Sequence, residues 1–299
     1  MIIQNLNRLN DILFKAIFGE NPEITLNFIN SVLLCSNTPT FQSIDFIDRE
    51  LDPLEEDGKE ARLDLLGREK ETGARVNLEI QVIKQAYFGK RSLYYWARLY
   101  NNLKRGDKYS DLTRAVTINI LDFVLFEDEN EKANWRSSFG IYDKKTGKQL
   151  TEDLEMHFIE LPKWHIQKDI QKMNTLECWV SYFDKKTKKE ALEAIAMAEP
   201  MVKEAVRREN IFTQDEIRRR RYDLIEKGER DRIGQMEYAI NKGLTQGRKE
   251  GMKEGMKKGR VEIQTLVLRL IKDGKSDEIP AILADESLQE QFLKKYNII

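Results

Sequence analysis

A chain of 299 residues that is 34% charged and 40% hydrophobic can bury one substantial core plus smaller helical appendages. Its formal net charge is only −1, so attraction to a polyanion has to come from a local patch. No apolar run approaches a membrane span, no signal-peptide pattern opens the chain, and Cys35 and Cys178 are too few for a disulfide framework, so a reduced cytoplasmic protein is expected. The only histidines, His157 and His165, fall in no nucleophile or zinc pattern, which leaves serine-type hydrolysis and zinc chemistry poorly supported.

Residues 9–19 and 22–35 read as helices, the second opening at Asn21-Pro22, an N-cap followed by proline at the first helical position. Phe41 to Arg49 alternates Ile44 and Phe46 with polar neighbours and predicts a first strand. Glu50 to Glu60 follows as an acidic link containing Pro53 and Gly58, with Lys59 just before the next strand.

Two runs then alternate polar and apolar residues strictly: Arg62 to Leu66 and Arg75 to Val82, joined by the turn-rich Gly67 to Gly73. They predict an antiparallel hairpin. If Leu63 and Leu65 face the core with Val76, Leu78 and Ile80, then Asp64 shares the other face with Asn77, Glu79 and Gln81. A register symmetrical about Glu71 and Thr72 sets Asp64 opposite Glu79, with the two Cβ atoms roughly 5 Å apart. Two ionised carboxylates at that distance repel, and are tolerated where a cation or a proton lies between them. Hard oxygen ligands on a rigid hairpin suit Mg²⁺ or Mn²⁺. The same pattern also fits a solvent-facing strand pair with ordinary surface charges.

Residues 88–105 predict an amphipathic helix, with Arg91, Tyr95, Arg98 and Asn102 on one face and Leu93, Trp96, Ala97, Tyr100 and Leu103 on another. Charges from Lys84 to Lys108 are nearly all positive: Lys84, Lys90, Arg91, Arg98, Lys104 and Arg105 among them. Such a run is either a solvated helix face or the footprint of a phosphate-binding surface, and beside apposed carboxylates it favours DNA-backbone contact through Lys84, Lys90, Arg91, Tyr95 and Arg98. Ala115 to Leu125 reads as a buried strand and Met156 to Leu161 as a short one ended by Pro162. Everything after about residue 165 reads as helical.

Glycine recurs at 243, 247, 251, 255 and 259 between charged triplets. A spacing of four puts these glycines on a slowly drifting helical stripe across which two backbones can approach. Each glycine costs up to about 1 kcal/mol of helix propensity, so a partner helix is the natural compensation, from a second subunit (a homo-oligomer through 243–259) or from this chain; a flexible charged linker is the alternative. The Arg218–Arg221 run reads as a solvated helical face. In the tail from Val261, Leu266, Leu270, Ile279, Ile282, Leu283, Leu288, Phe292 and Leu293 predict a small helical module.

Five segments, Asn10–Phe18, Asn27–Leu33, Leu63–Leu66, Asn77–Gln81 and Arg91–Tyr100, resemble in their order the Rpn family of recombination-promoting nucleases and transposases within the PD-(D/E)xK nuclease superfamily. The glycine-punctuated tail is similar to that family's C-terminal end. The resemblance implies an α/β fold with a PD-(D/E)xK restriction-endonuclease-like core, a mixed central sheet flanked by helices, and an all-helical C-terminal extension. The expected domains are a nuclease-like domain at 1–165, a helical extension at 166–240, and the glycine-repeat helix with its helical tail at 241–299.

Carried over by position, the resemblance implies that Asp64 and Glu79 bind the metal, aided by the backbone carbonyl of Ile80, and that Gln81 stands where the superfamily has a catalytic lysine. Leu63 replaces the superfamily proline. A further carboxylate often comes from the first helix of such folds, for which Asp11 and Glu20 are the candidates. The expected activity is Mg²⁺- or Mn²⁺-dependent hydrolysis of DNA phosphodiester bonds by an endonuclease acting in recombination or transposition. The alternative is a catalytically inactive DNA-binding or assembly protein that keeps the fold.

Overall fold

A computed structural model of the chain describes residues 3–47, 50–51, 61–62, 64–101, 103, 105–127, 134–166 and 169–299. The acidic link at 52–60 with Lys59, the core position assigned to Leu63, and the helix-face positions Asn102 and Lys104 lie outside the described residues.

Helix α1, Asp11–Phe14, continues as a π-helical stretch over Lys15–Gly19. Asn10 caps it, its side-chain oxygen accepting from the backbone N–H groups of Ile12 and Leu13. Helix α2 spans Pro22–Leu34 with its proline at the start, as the sequence predicts. Asn21 caps no N–H group of that helix. Its amide instead donates to the carbonyls of Ala16 and Ile17, 3.1 and 2.8 Å away, and so closes the preceding helix.

The strands are β1 (Asp45–Phe46), β2 (Glu50–Leu51), β3 (Ala61–Arg62), β4 (Leu65–Arg68), β5 (Arg75–Gln81), β6 (Ala115–Leu121), β7 (Arg136–Tyr142) and β8 (Gln149–Glu160). Six form one mixed sheet in the order β1-β4-β5-β6-β8-β7, while β2 and β3 pair separately. The β4–β5 hairpin has the register that side-chain parity requires, Leu65 opposite Leu78 and Arg68 opposite Arg75. Its turn is shorter than Gly67–Gly73, because Gly67 and Arg68 remain in the strand. Gly67 is obligatory there: a Cβ would stand 2.2 Å from Cδ1 of the buried Ile44. Gly67→Ala should therefore cost about 1–3 kcal/mol of stability, read as a lower urea midpoint with an unchanged slope.

Strand β6 is parallel to both β5 and β8 and is buried along its whole length. Strand β8 is twice the predicted length, and antiparallel β7 is not foreshadowed in the sequence: Arg136–Tyr142 carries few β-branched residues, and its hairpin depends on a local turn. In that turn one Asp143 oxygen accepts from the N–H groups of Lys145 and Thr146, and Gly147 takes φ of +71°.

Helices α4 (Thr175–Phe183), α5 (Lys189–Ala198) and α6 (Pro200–Gln214) follow, then α7, which runs from Glu216 to Lys272. Leu176, Trp179, Phe183, Val202 and Phe212 share one core with Phe14, Phe28, Leu65, Val76, Leu78 and Ile118. These helices complete the core over one sheet face, and the chain forms two compact units, Met1–Gly228 and Glu229–Ile299. An ion pair between Arg8 and Glu209, 2.6 Å apart and buried, ties the N-terminal segment to α6. Helix α3, Phe88–Tyr100, covers part of the opposite sheet face.

In the second unit, Leu266 and Leu270 of α7 pack with Ile282 of α8 (Ile279–Ala284) and Leu293 of α9 (Glu286–Lys295). Leu283 is exposed. The glycine stripe is continuous helix, not linker, and apart from the helix's own adjacent backbone no described atom lies within 4 Å of where a Cβ would stand on any of its five glycines. Within this unit, the chain therefore does not fold back over the stripe. No helix among the described residues is long and apolar enough to cross a membrane.

Candidate functional site

Beyond Leu65, β4 gives way to a bend at Asp64, where two hydrogen bonds tie the end of the hairpin to β5. The Ile80 N–H donates to Asp64 Oδ2 at 2.8 Å, and the Asp64 N–H donates to Glu79 Oε1 at 3.4 Å. A strand residue directs its N–H and C=O to the same side, so the Ile80 carbonyl faces the same edge as the Asp64 carboxylate.

The face carrying Glu79 is not the solvated one that a half-buried strand would give. Glu79 is 3% exposed, and Asn77 on the same face is fully buried. In the β5–β6 register Asn77 lies beside Thr117 and Glu79 beside Asn119, which makes a polar strip in the middle of the sheet. Helix α3 lies over it. Ser92 donates to Asn119 Oδ1 at 3.2 Å, and Asn119 donates to the His157 carbonyl at 3.0 Å.

That strip explains why the buried side of α3 differs from the apolar side read in the sequence. Phe88, Ser92, Arg98 and Leu99 are buried, while Leu93 and Ala97 are exposed. A helix over a polar surface turns groups that can hydrogen-bond toward it, whatever its apolar periodicity predicts. Arg98, 7% exposed, is thereby removed from the accessible basic surface.

Glu79 is bracketed by its own strand. Asn77 Nδ2 donates to Oε1 at 3.2 Å and Gln81 Nε2 donates to Oε2 at 3.3 Å. Burial, with the Asp64 charge adding to it, nonetheless pushes the Glu79 carboxyl up to about 8. Burial also raises Asp64; the Ile80 N–H opposes the rise, Asp11 adds to it, and Lys15 and Arg91 lower it. Asp11 thus belongs to this neighbourhood, held in an ion pair by Lys15 one turn on. Glu20 does not: its partner is Arg218, at 3.0 Å.

Arg91 reaches the acids from α3. Its charge favours ionisation of both, and its guanidinium lies over the rings of Phe88 and Tyr95, 4.8 and 5.6 Å from their centroids. The Tyr95 hydroxyl is half-buried beside them and its pKa is raised, mainly by burial. Lys84 pairs with Glu127, and Lys90 is exposed. Ser92, Thr117 and Asn119 are the members of the site that sequence reading passes over, while Asn77 lies on the face that strand parity assigns to it. Their signal is present: Thr117 and Asn119 alternate with Val116, Ile118 and Ile120 on a strand otherwise apolar throughout.

The donor set fits a hard divalent cation. It consists of oxygens from two acids that repel, Glu79 buried and Asp64 half-buried, and Asn77 Oδ1 beside them is buried with no hydrogen-bond partner. Among the described residues no three His, Cys, Asp or Glu side chains form a cage. The set therefore suits an ion that takes one or two carboxylates and keeps water, as Mg²⁺ does.

Neither the curated proteins nor the solved structures contain a match to the chain. The profile of PD-(D/E)XK nuclease family transposases matches residues 8–239 and ends before the glycine stripe begins at Gly243. That span holds the six-stranded sheet, the Asp64–Glu79 hairpin and α3, and it is well over half of the chain: the protein belongs to the PD-(D/E)XK nuclease family transposases.

Proposed function

We propose that the protein is a divalent-metal-dependent DNA endonuclease of the Rpn branch, working in recombination or transposition. The observation that carries this reading is the interlocking of two acids on adjoining hairpin arms: the Asp64 N–H donates to buried Glu79, and the half-buried Asp64 carboxylate accepts from the N–H of Ile80, the residue after Glu79.

Asp64, Glu79 and the Ile80 carbonyl would hold Mg²⁺ or Mn²⁺. When bound, the ion supplies Lewis-acid activation of water and neutralises charge on the phosphate oxygens. Asn77 and Gln81 orient the two oxygens of Glu79 from either side along the strand. With its NH₂ turned to Glu79, Gln81 has its carbonyl oxygen left to position a water, but no amide can take up that water's proton at neutral pH. The cation lost when glutamine replaces the superfamily lysine is compensated by Arg91, whose guanidinium can pair with a non-bridging phosphate oxygen. Lys90, exposed on the next helical stripe, and Lys84 at the edge of the site add phosphate contacts that position the strand. Asp11 tunes Asp64 by its charge and is available as a further metal-water ligand.

The test is the full-length protein on supercoiled plasmid, with Mg²⁺, Mn²⁺ or excess EDTA. Nicked or linear product is expected only with the divalent ion. DNA bound but left uncut under every ion would instead favour an assembly protein that keeps the nuclease fold.

A further inference from the structure

Tyr87, between the end of β5 and the start of α3, has a left-handed backbone with φ of +64°, a conformation that a bulky L-residue disfavours. Tyr87 is 76% exposed, so no burial in the core offsets the strain. Strained residues of this kind gather at ligand-binding and catalytic sites. Lys90 Nζ sits 5.3 Å from the centre of the Tyr87 ring. Tyr94, 39% exposed, stands one further turn along. Positions 87, 90 and 94 fall on one helical stripe with the tyrosines about 10 Å apart.

The neighbouring stripe is Arg91 and Tyr95, which face the acids: the Arg91 charge favours ionisation of Asp64 and Glu79, and those two carboxylates act in turn on the Tyr95 hydroxyl. The Tyr94 and Tyr95 rings are 6.3 Å apart. Exposed aromatic faces with a cation between them match the chemistry that holds single-stranded nucleic acid, where bases stack on rings and the phosphate meets a positive charge. A base inside a duplex has both faces covered by its neighbours and cannot use such a platform.

We propose that Tyr87, Lys90 and Tyr94 form a base-stacking stripe that takes an unpaired DNA strand leading to the Asp64–Glu79 centre. The preferred substrate is then DNA with a single-stranded extension or gap beside the scissile phosphate. This inference rests on the reading of Asp64 and Glu79 as the hydrolytic centre. Tyr87 is its chief contact, and its strained backbone is what turns the ring outward.

The full-length Asp64→Asn protein, which leaves substrate intact, is titrated with a blunt duplex and with the same duplex carrying a short single-stranded extension that contains 2-aminopurine. The extended DNA should bind about tenfold more tightly, and the probe should be quenched. Tyr87→Ala and Tyr94→Ala should each remove most of the preference and the quenching. Tyr87→Phe and the distant Tyr142→Ala should keep both. Tyr87→Gly should raise Tm while losing the preference. Equal binding of the two DNAs, or a preference that survives both alanine replacements, overturns the stripe. Cleavage by protein with Asp64 intact is scored separately, so the stripe can stand where the nuclease reading falls, and the reverse.

Discussion

Asp64→Ala and Glu79→Ala are each expected to lower the plasmid-cleavage rate by about a thousandfold, since each removes a ligand of the ion that would act on the reacting phosphate. The two acids meet at the end of the β4–β5 hairpin, where the Asp64 N–H donates to Glu79 and the Ile80 N–H to Asp64. Groups that act as a unit are not additive in their loss, so the double variant should be scarcely slower than either single one. Folding is not the casualty: burial disfavours the ionised form of both carboxyls, and the variants should melt at or above the wild-type temperature in EDTA. Wild-type cleavage by either single variant would remove these residues from the chemistry. A multiplicative loss in the double variant would show that they act independently.

Metal affinity should fall about tenfold for each pH step of one below about 8, a loss of about 100-fold between pH 8 and pH 6, because a divalent ion has to displace the proton that Glu79 keeps. The same proton sets the stability of the metal-free fold. Glu79 titrates near 4.5 in the unfolded chain and near 8 in the folded one, so between those values the folded state binds the proton and the unfolded state has released it. The contribution of Glu79 to stability is thus fully present below pH 4.5, declines as pH rises through the window, and is gone above about 8.

Asp64 is raised in the same direction and adds to this slope, while Arg91 and Lys15 oppose it and Asp11 reinforces it. Tyr95, the other titratable group facing the pair, stays protonated across the window because its pKa is raised. Glu79→Gln has no such proton, so its stability advantage over wild type in EDTA should grow by a few kcal/mol from pH 5 to pH 8, a tenfold change in proton affinity being worth about 1.4 kcal/mol. Urea denaturation across that range measures the slope, and calorimetric Mn²⁺ titrations at both ends measure the affinity. An affinity unchanged from pH 6 to pH 8 would remove the proton that burial places on Glu79.

The hairpin and its acidic pair are legible in the sequence because a strand has a period of two: once Leu65, Leu78 and the turn are located, the side of every other residue follows. The proline after Asn21 and the helical character of everything past residue 165 are legible for the same kind of local reason. What surrounds the acids is not. Whether Glu79 faces water or interior depends on whether another element covers it, and α3 does so from nine residues further along the chain. Apolar periodicity places Leu93 and Ala97 inward, whereas the polar strip of Asn77, Thr117 and Asn119 selects Ser92.

Sequence alone therefore determined the two carboxylates and the strands that pair them, since both follow from local alternation and turn length. Only the tertiary structure decided that Glu79 is buried, that Arg91 supplies the cation near the two acids, and that Arg98 is withdrawn from the surface. Those outcomes depend on which faces meet, and burial and electrostatic fields are properties of the packed molecule that no stretch of chain carries by itself.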